Sequence, residues 1–337
     1  MDKTSTPFIS ILIPIRNEAA YIQRCLDAVL AQDYPQEKIE ILIADGLSDD
    51  GTQEIIKEIQ SQHPQVQYYE NPKKIVPTGL NILIPKAKGE ILIRVDGHCV
   101  IALDYVSNCV KHILEDGIDG VGGPMQTIGE DQISQVIAAA MSSKFGVGGS
   151  SFRTEAGLTK LVDTVPFPAY KREIIRRVGL YDEELIRNQD DEFNYRIRKA
   201  GGKILLAANV KSTYFSRGSL EKLWRQFFQY GFFKVRVLQK HLRQMSPRQF
   251  VPALFVIALL AAVLLSLIFP WGWLPLTALI GLYLVSNLFA SVVIGAKKGW
   301  RVICLLPVAF STMHISYGIG FLWGLIKFWN RWNDKVG

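Results

Sequence analysis

The last quarter of this 337-residue chain is a block in which almost every residue is apolar, from Val251 to Ile326. Roughly the first 245 residues have the composition of an ordinary soluble protein. The block divides into three segments, about residues 250–269, 273–294 and 302–326. At a rise of roughly 1.5 Å per residue, each is long enough to cross a hydrocarbon core of about 30 Å. The chain therefore predicts a soluble domain joined to a membrane region with about three transmembrane helices.

Basic and aromatic residues flank these segments. Tryptophans lie at or near the segment ends, as in an aromatic belt. One basic group follows the second segment: Lys297, Lys298 and Arg301. Another follows the third: Lys327, Arg331 and Lys335. With the N-terminal domain inside, the first group obeys the positive-inside rule and three crossings place the second group outside, against the rule. A re-entrant third segment is the alternative.

Charge and cysteine content narrow the setting. Residues 250–337 contain six basic residues and one acidic residue, so much of the +7 net charge lies beside the apolar segments. Basic residues in this position favour binding to membrane lipids with anionic headgroups. No sequence pattern typical of nucleic-acid binding is present, so we expect no nucleic-acid partner. The four cysteines form no C-x-x-C pair, which is typical of reduced cytosolic thiols. The N-terminus lacks a signal-peptide pattern. We expect a multi-pass protein of the inner (plasma) membrane with the N-terminal domain on the cytoplasmic side.

An amphipathic segment precedes the apolar block. Residues 221–244 alternate aromatic and basic side chains in a helical register. We expect this helix to lie in the membrane interface with its aromatic side chains toward the acyl chains, namely Trp224, Phe227, Phe228 and Tyr230. The alternative is a solvent-facing helix packed on the domain. The predicted organisation is a soluble domain at 1–218, an interfacial helical segment at 219–248 and a transmembrane region at 249–337.

The N-terminal domain alternates apolar strands and helices. Apolar runs at about residues 8–14, 39–44 and 66–69 are separated by helical patterns at about 19–31 and 53–62. This β-α-β-α-β order predicts an α/β fold with a Rossmann-like, mostly parallel sheet, in which ligands bind beyond the carboxyl ends of the strands. Asn17 is a plausible N-cap of the first helix. Residues 14–18, Asp45 and residues 96–98 should converge on one edge of the sheet.

The stretch EILIRVDGH, Glu90–His98, ends an apolar strand in a carboxylate and an imidazole. In an extended strand end, Asp96 and His98 would point to one side and could hold a divalent cation. Imidazole binds Mn²⁺ more readily than Mg²⁺, which leaves the metal open. Because Asp-Gly is a common turn dipeptide, a strand followed by a polar turn is the alternative.

A second acidic cluster, NQDDE at residues 188–192, precedes a helical pattern at about 193–199. Acidic residues at a helix start are also favoured by the helix dipole. A pure capping role is thus the alternative, although three consecutive acids exceed what a cap needs.

Together the motifs PIRNE at residues 14–18, Asp45 with SDDGT, DGH at 96–98 and NQDDEFNYR at 188–196 resemble family 2 glycosyltransferases of GT-A fold. The resemblance covers about residues 8–240 and is greatest to membrane enzymes of exopolysaccharide synthesis. It implies that Asp45 binds the uracil or ribose and that Asp96 acts at the donor diphosphate. It also implies a nucleoside pocket lined by Pro14, Arg16 and Glu18, with Asn81 nearby.

The resemblance also suggests a catalytic base. Asp190 matches the aspartate of the family's Glu-Asp motif, in which Gln189 replaces the glutamate. Because that replacement makes the register uncertain, Asp191 is the second candidate and Glu192 the third. The base would take the proton of the acceptor hydroxyl, and in-line attack would invert the anomeric configuration. A divalent cation, Mg²⁺ or Mn²⁺, would neutralise the leaving diphosphate.

The predicted function is transfer of a hexose, with glucose preferred, from a UDP-sugar to a polyprenyl-linked saccharide in exopolysaccharide or capsule biosynthesis. Residues 229–231, QYG, partly resemble a motif of processive relatives, but three crossings are too few for a polymer channel. Two alternatives remain, a polyprenyl-phosphate glycosyltransferase and a non-catalytic, membrane-tethered nucleotide-sugar-binding protein. A dinucleotide-dependent oxidoreductase is disfavoured, since no G-x-G-x-x-G follows the first strand.

Overall fold

The structure is a computed structural model that describes residues 6–155, 157–216 and 218–332, apart from the side chains at 301 and 302. The strands are β1 Ile9–Ile15, β2 Ile39–Asp45, β3 Val66–Glu70, β4 Ile91–Arg94, β5 Cys99–Ile101, β6 Gly120–Gly122, β7 Met125–Ile128, β8 Lys160–Leu161, β9 Ala169–Lys171, β10 Ile204–Leu206 and β11 Ser212–Phe215. The helices are α1 Ile22–Leu30, α2 Thr52–Gln62, α3 Val76–Leu83, α4 Tyr105–Glu115, α5 Gln132–Met141, α6 Lys144–Val147, α7 Ser151–Thr154, α8 Arg172–Val178, α9 Gln189–Lys199, α10 Leu220–Lys240, α11 Val251–Ile268, α12 Trp273–Lys298, α13 Trp300–Ile303 and α14 Leu306–Lys327. Short 3₁₀ helices cover Gln36–Lys38 and Pro247–Phe250.

The chain forms two compact units. The N-terminal unit contains residues 1–126 and 151–214, and the C-terminal unit contains residues 127–150 and 215–337. Residues 127–150, which contain α5 and α6, therefore belong to the same unit as the apolar helices. The functional boundaries near residues 218 and 248 stay predictions.

The N-terminal unit is built on an eight-stranded sheet in the order β3-β2-β1-β4-β9-β6-β10-β8. Parallel pairing joins β1 to β2 and β4, β2 to β3, and β6 to β10. Antiparallel pairing occurs at β9, between β4 and β6, and at the edge strand β8. The predicted α/β fold with a mostly parallel sheet is confirmed.

Helices cover both faces of this sheet, which explains why β1 and β2 are mainly apolar. Their interior polar residues, Ser10 and Glu40, are buried and hydrogen-bonded to each other at 2.6 Å. Ile11 packs in the core on one face with Ile22 and Leu26 of α1, whereas Leu12 packs on the other face with Leu80 of α3. Every residue of β1 and β2 is buried. A strand buried on both faces gains nothing from alternating polar residues.

The start of α1 differs from the prediction. The helix begins at Ile22, its N-cap is Tyr21, and no side chain caps it. Asn17 has a φ of +56° and lies in the loop before the helix, so its assignment as the N-cap was wrong. Its side chain instead forms hydrogen bonds to the loop that follows β2.

In the C-terminal unit, two stretches of the described residues are long and apolar enough to cross a bilayer: Pro247–Ile268 and Trp273–Lys298. The third apolar segment forms α14, which does not meet the same criteria, so three crossings are not confirmed. Phe227 of α10 packs with Phe310 of α14 inside the unit, and its predicted contact with acyl chains was wrong. Lys335, the last predicted flanking cation, lies outside the described residues.

Candidate active site

Two loops that follow neighbouring strands are joined through Asn17. Its amide nitrogen donates to the carboxylate of Asp49 at 2.9 Å, and its amide oxygen accepts from the Asp49 backbone N–H at 3.1 Å. Its own backbone N–H donates to the Ser48 hydroxyl at 2.8 Å. These bonds hold the loop after β1 against the loop after β2, at the predicted carboxyl edge of the sheet.

Asp45 ends β2 and is fully buried. Its carboxylate accepts hydrogen bonds from the Ser48 hydroxyl at 2.5 Å, the Gln53 amide at 3.0 Å and the Tyr68 hydroxyl at 3.1 Å. Burial, followed by the charge of Asp45, raises the pKa of Tyr68 well above its ordinary value. Asp45 therefore organises the loop that follows it. Its contact with a nucleoside stays a prediction.

The other predicted pocket residues occupy different positions around this edge. Pro14 lies inside β1 opposite Ala44, whereas Arg16 is exposed after the strand. A Cβ at Gly46 would lie 3.2 Å from Cδ of Arg16, so the loop backbone approaches that side chain closely. Asn81 on α3 is farther along the chain and bonds to the backbone of Tyr181 in both directions at 2.9 Å.

Asp96, Gly97 and His98 form a turn and not an extended strand end. β4 stops at Arg94, and the backbone N–H of Cys99 donates to the carbonyl of Asp96 at 3.0 Å. The inference that Asp96 and His98 share one side because the strand continues was therefore wrong. A Cβ at Gly97 would lie 2.7 Å from Cγ2 of Ile15, so the turn depends on glycine to pack against β1.

His98 is paired with Glu18. Its Nδ1 lies 2.8 Å from Oε1 of Glu18, and both side chains are largely buried. The ring also packs edge-on against Tyr214, with centroids 4.8 Å apart. A carboxylate on one imidazole nitrogen fixes the ring orientation and leaves Nε2 to face a ligand or metal. The structure thus brings two predicted site residues together, 80 positions apart in the chain.

Arg94 connects the two acidic motifs. Its side chain is 8% exposed, and its Nε and Nη2 lie 2.9 Å and 2.8 Å from Oδ1 of Asp96. Its Nη1 contacts Oδ1 of Asp190. The strand-end aspartate and the leading candidate base are therefore held by one guanidinium. Sequence reasoning missed Arg94, although an arginine inside an apolar strand must have an acidic or polar partner when buried.

The acidic cluster lies within the first turn of α9, which starts at Gln189 and not at about residue 193. Glu192 is 2% exposed and pairs with Arg196 at 2.8 Å, and Arg196 also donates to the Leu180 carbonyl at 2.8 Å. This pairing and the burial favour a structural role for Glu192, and its place as the third candidate base stays a prediction. Asp190 and Asp191 are half-buried and remain candidates.

The electrostatics at Asp190 reflect opposing effects. Burial raises the pKa of the Asp190 carboxyl above its ordinary value, and Asp96 and Asp191 act in the same direction, while Arg94 partly offsets them. Although burial opposes the charge of Arg94, the carboxylates of Asp190 and Asp96 raise its pKa further. A carboxylate with a raised pKa is a stronger base once ionised, which suits proton abstraction from a hydroxyl.

The donor set suits a cation that is shared with a ligand. Among the described residues, no group of three or more His, Cys, Asp or Glu side chains could enclose a metal. Mg²⁺ and Mn²⁺ in phosphate sites commonly use one or two protein ligands, with phosphate oxygens and water completing the shell. Asp96 uses Oδ1 for Arg94, and its Oδ2 has no hydrogen bond to any described residue. With Nε2 of His98, this oxygen gives two donors of the required kind.

Comparison with known proteins gives a consistent family assignment. The family model for glycosyl transferase family 2 matches residues 10–179. The chain is 34% identical over 251 residues to the succinoglycan biosynthesis protein ExoA of Rhizobium meliloti, covering 72% of this chain and 75% of ExoA. It is 30% identical over 335 residues to a dolichyl N-acetyl-alpha-D-glucosaminyl phosphate 3-beta-D-2,3-diacetamido-2,3-dideoxy-beta-D-glucuronosyltransferase of Methanococcus voltae, covering 95% and 98%.

A solved structure shows the same fold. The mannosyltransferase PcManGT of Pyrobaculum calidifontis, in complex with GDP-Man and Mn²⁺, superposes with a TM-score of 0.61 at 20% identity. The match covers 96% of this chain and 89% of that protein. Together with the family assignment, this likeness confirms the predicted GT-A fold of the N-terminal α/β unit.

Proposed function

The chain belongs to glycosyl transferase family 2, and we propose that it transfers one hexose from a UDP-sugar to a polyprenyl-linked saccharide. The proposed hexose is glucose, and the anomeric configuration is inverted. Its place in this family makes it a glycosyltransferase of polysaccharide or glycan biosynthesis. The observation that carries the finer proposal is the Arg94 bridge, which holds Asp96 and Asp190 together at the end of a sheet strand.

In the proposed mechanism, Asp190 receives the proton of the acceptor hydroxyl. Its Oδ1 is held by Arg94, which leaves Oδ2 to accept that proton while the hydroxyl oxygen attacks the anomeric carbon. Holding a base and an electrophile in one orientation removes much of the entropic cost of the step. Asp191, one residue along the same helix turn, is the alternative base.

The donor diphosphate is proposed to lie at the turn that contains Asp96 and His98. A divalent cation bound there would neutralise charge on the leaving diphosphate. Asp96 Oδ2 and His98 Nε2 are the protein atoms proposed to hold it, and Glu18 orients the imidazole. We propose that the nucleoside side of the pocket is formed by the loops after β1 and β2, which Asn17 joins, together with Arg16 and Asp45. Pro14 and Asn81 would support its walls.

A lipid-linked acceptor is supported by two observations. The two apolar helices provide an attachment to the membrane in which such an acceptor resides. The Methanococcus voltae relative, which aligns over almost the full length, is named for transfer onto a dolichyl phosphate-linked sugar. A sugar hydroxyl needs a base, whereas a bare lipid phosphate does not, and the half-buried carboxylate of Asp190 favours the saccharide acceptor.

The test is a nucleotide-sugar panel with purified full-length protein in lipid nanodiscs, with Mg²⁺ or Mn²⁺, followed by mass analysis of the lipid products. We expect a UDP-sugar to be consumed and one hexose to be added to a polyprenyl diphosphate saccharide. Asp96→Asn and Asp190→Asn should each lower the rate about 10²–10⁴-fold, the range for a lost base or charge-stabilising group.

A matched control is Asp163→Asn, because Asp163 forms an exposed ion pair with Arg198 and should not affect the rate. If no UDP-sugar is bound or consumed with either metal, the donor assignment is wrong. If Asp190→Asn retains activity and Asp191→Asn does not, the base is Asp191. Activity toward a bare polyprenyl phosphate that is unaffected by both substitutions would identify the phosphate acceptor instead.

A further inference from the structure

Helices α10 and α14 pack with their backbones in direct contact. A Cβ at Gly231 of α10 would lie 2.1 Å from the carbonyl oxygen of Tyr317, and one at Gly320 of α14 would lie 2.1 Å from that of Phe228. Gly324 repeats the pattern one turn later, 2.7 Å from the carbonyl oxygen of Phe232. Glycines at i and i+4 allow two helices to approach this closely. The two helices are thus one packed pair.

The pair is parallel along its length. Contacts advance together, from Phe228 with Gly320 to Phe232 with Phe328, whose ring centroids lie 4.7 Å apart. Farther along, the Gln239 amide donates to the Phe328 carbonyl at 2.7 Å. Whatever path α14 takes relative to the membrane, α10 follows it in the same direction.

Two buried cations on α10 oppose a transmembrane path. Lys234 and Arg236 are 3% and 2% exposed, and Arg236 donates to the Arg331 carbonyl just beyond α14. Gly231 meets Tyr317 at the middle of α14. At 1.5 Å per residue, Arg236 lies about 7.5 Å farther along the axis, within the roughly 15 Å half-thickness of a hydrocarbon core. If α14 crossed centrally, the backbone at both cations would lie within that core, and the Arg236 guanidinium would reach its edge at the Arg331 carbonyl.

Chain order gives an independent argument. If α10, α11, α12 and α14 each crossed in succession, α10 and α14 would run in opposite directions, but they are parallel. A hairpin of α11 and α12 alone returns the chain to its starting side and permits a parallel pair. Burial agrees with this, since three of 18 residues are buried in α11 and three of 26 in α12, against nine of 22 in α14.

We propose that α11 and α12 alone cross the bilayer, and that α10 and α14 lie as a pair at the headgroup level of one membrane face. This inference rests on the proposed membrane location and extends it. Val308 is exposed near the start of α14, and three exposed apolar side chains in its second half, Ile319, Trp323 and Ile326, recur at i, i+4 and i+7 and form the lipid-contacting face. Lys327 and Arg331 then share a side with Lys297 and Lys298, among anionic headgroups, and the positive-inside rule is satisfied throughout.

The test is cysteine labelling of the full-length protein in spheroplasts with a membrane-impermeant maleimide, before and after permeabilisation. The background is Cys304→Ser, because Cys304 is the exposed cysteine among the described residues and the other three are buried. Single probes are Trp271→Cys in the hairpin turn, Lys298→Cys after α12, and Asn330→Cys after α14. All three positions are exposed.

We expect Trp271→Cys to be labelled in intact spheroplasts, and Lys298→Cys and Asn330→Cys only after permeabilisation. Labelling of Asn330→Cys in intact spheroplasts would show that α14 crosses and would overturn the inference. Protection of Trp271→Cys together with the other probes would instead refute the crossing hairpin and, with it, the membrane assignment on which the inference rests. Lys327→Cys serves as a second probe if Asn330→Cys does not accumulate.

Discussion

Replacement of Arg94 by methionine should uncouple the two acidic motifs. The substitution removes three nitrogens that contact Asp96 and Asp190 and, with them, the counter-charge that both carboxylates share. Breaking a buried ion pair from one side typically costs about 3–5 kcal/mol. The side chains of Asp96 and Asp190 are 22% and 32% exposed, so water reaches both. We therefore expect the free energy of unfolding to fall by about 3 kcal/mol, the lower end of that range.

The same substitution should change the pH dependence. Arg94 lowers the pKa of Asp190, so its removal leaves burial and Asp96 to raise that pKa further. The base must be ionised to accept a proton, and protonation removes activity as the pH falls through the pKa. The acidic limb of kcat/KM in Arg94→Met should therefore move to higher pH, with the greatest loss at low pH. Arg94→Lys should recover only part of the rate, since an ammonium cannot bridge both carboxylates as a guanidinium does.

The assay is a pH–rate profile with the donor that the panel identifies, alongside thermal unfolding of the same preparations. Arg198→Met is the matched control, because Arg198 pairs with exposed Asp163 and such a pair contributes about 0–1 kcal/mol. A double-mutant cycle of Arg94→Met with Asp190→Asn should give a coupling of about 0.5–3 kcal/mol. An unshifted acidic limb in Arg94→Met, together with zero coupling in the cycle, would refute the reasoning.

Three further substitutions separate structural from functional roles. Glu192→Gln should lower the melting temperature by several degrees without changing KM for the donor, because the buried carboxylate pairs with Arg196. A lower rate at an unchanged melting temperature would instead support Glu192 as the base. Gly97→Ala places a methyl group 2.7 Å from Ile15 and should weaken nucleotide-sugar binding by about tenfold or more in a calorimetric titration, whereas unchanged affinity would show that the turn can move freely. His98→Gln should reduce the Mn²⁺-supported rate more than the Mg²⁺-supported rate, and an unchanged ratio would remove His98 from the proposed ligands.

Local sequence predicted the sheet, and the meeting of its loops at one edge, well because the physical cause was itself local. β1 and β2 are mainly apolar and are buried at every position, and only a strand covered on both faces accommodates such a run. The strand ends then locate Asp45 and the turn at Asp96. Local sequence does not predict how the site closes. The contact of Arg94 with Asp190 joins residues 96 positions apart and depends on the tertiary packing of α9.

Similar limits apply to the third apolar segment. Composition alone cannot distinguish side chains that face lipid from those that face protein, since both environments favour the same residues. The informative signal is the spacing of small residues, Gly320 and Gly324 on α14 with Gly231 on α10, which marks a helix pair. Gly231 belongs to the QYG motif, and its contact with Tyr317 accounts for that glycine by packing.

Arg94 shows that a sequence can reveal the need for an acidic partner before a structure identifies that partner. A guanidinium inside an otherwise apolar strand cannot remain buried without compensation, since an unpaired charge there would cost several kcal/mol. The sequence offers acidic partners two residues away at Asp96 and in the NQDDE cluster, and one planar guanidinium has enough donors for both. In the structure Arg94 contacts both Asp96 and Asp190, and its side chain is 8% exposed. A charged residue in a buried strand therefore indicates that an acidic or polar partner is needed. Here the structure identifies that partner as the NQDDE cluster, and Arg94 links the proposed diphosphate site to the proposed base.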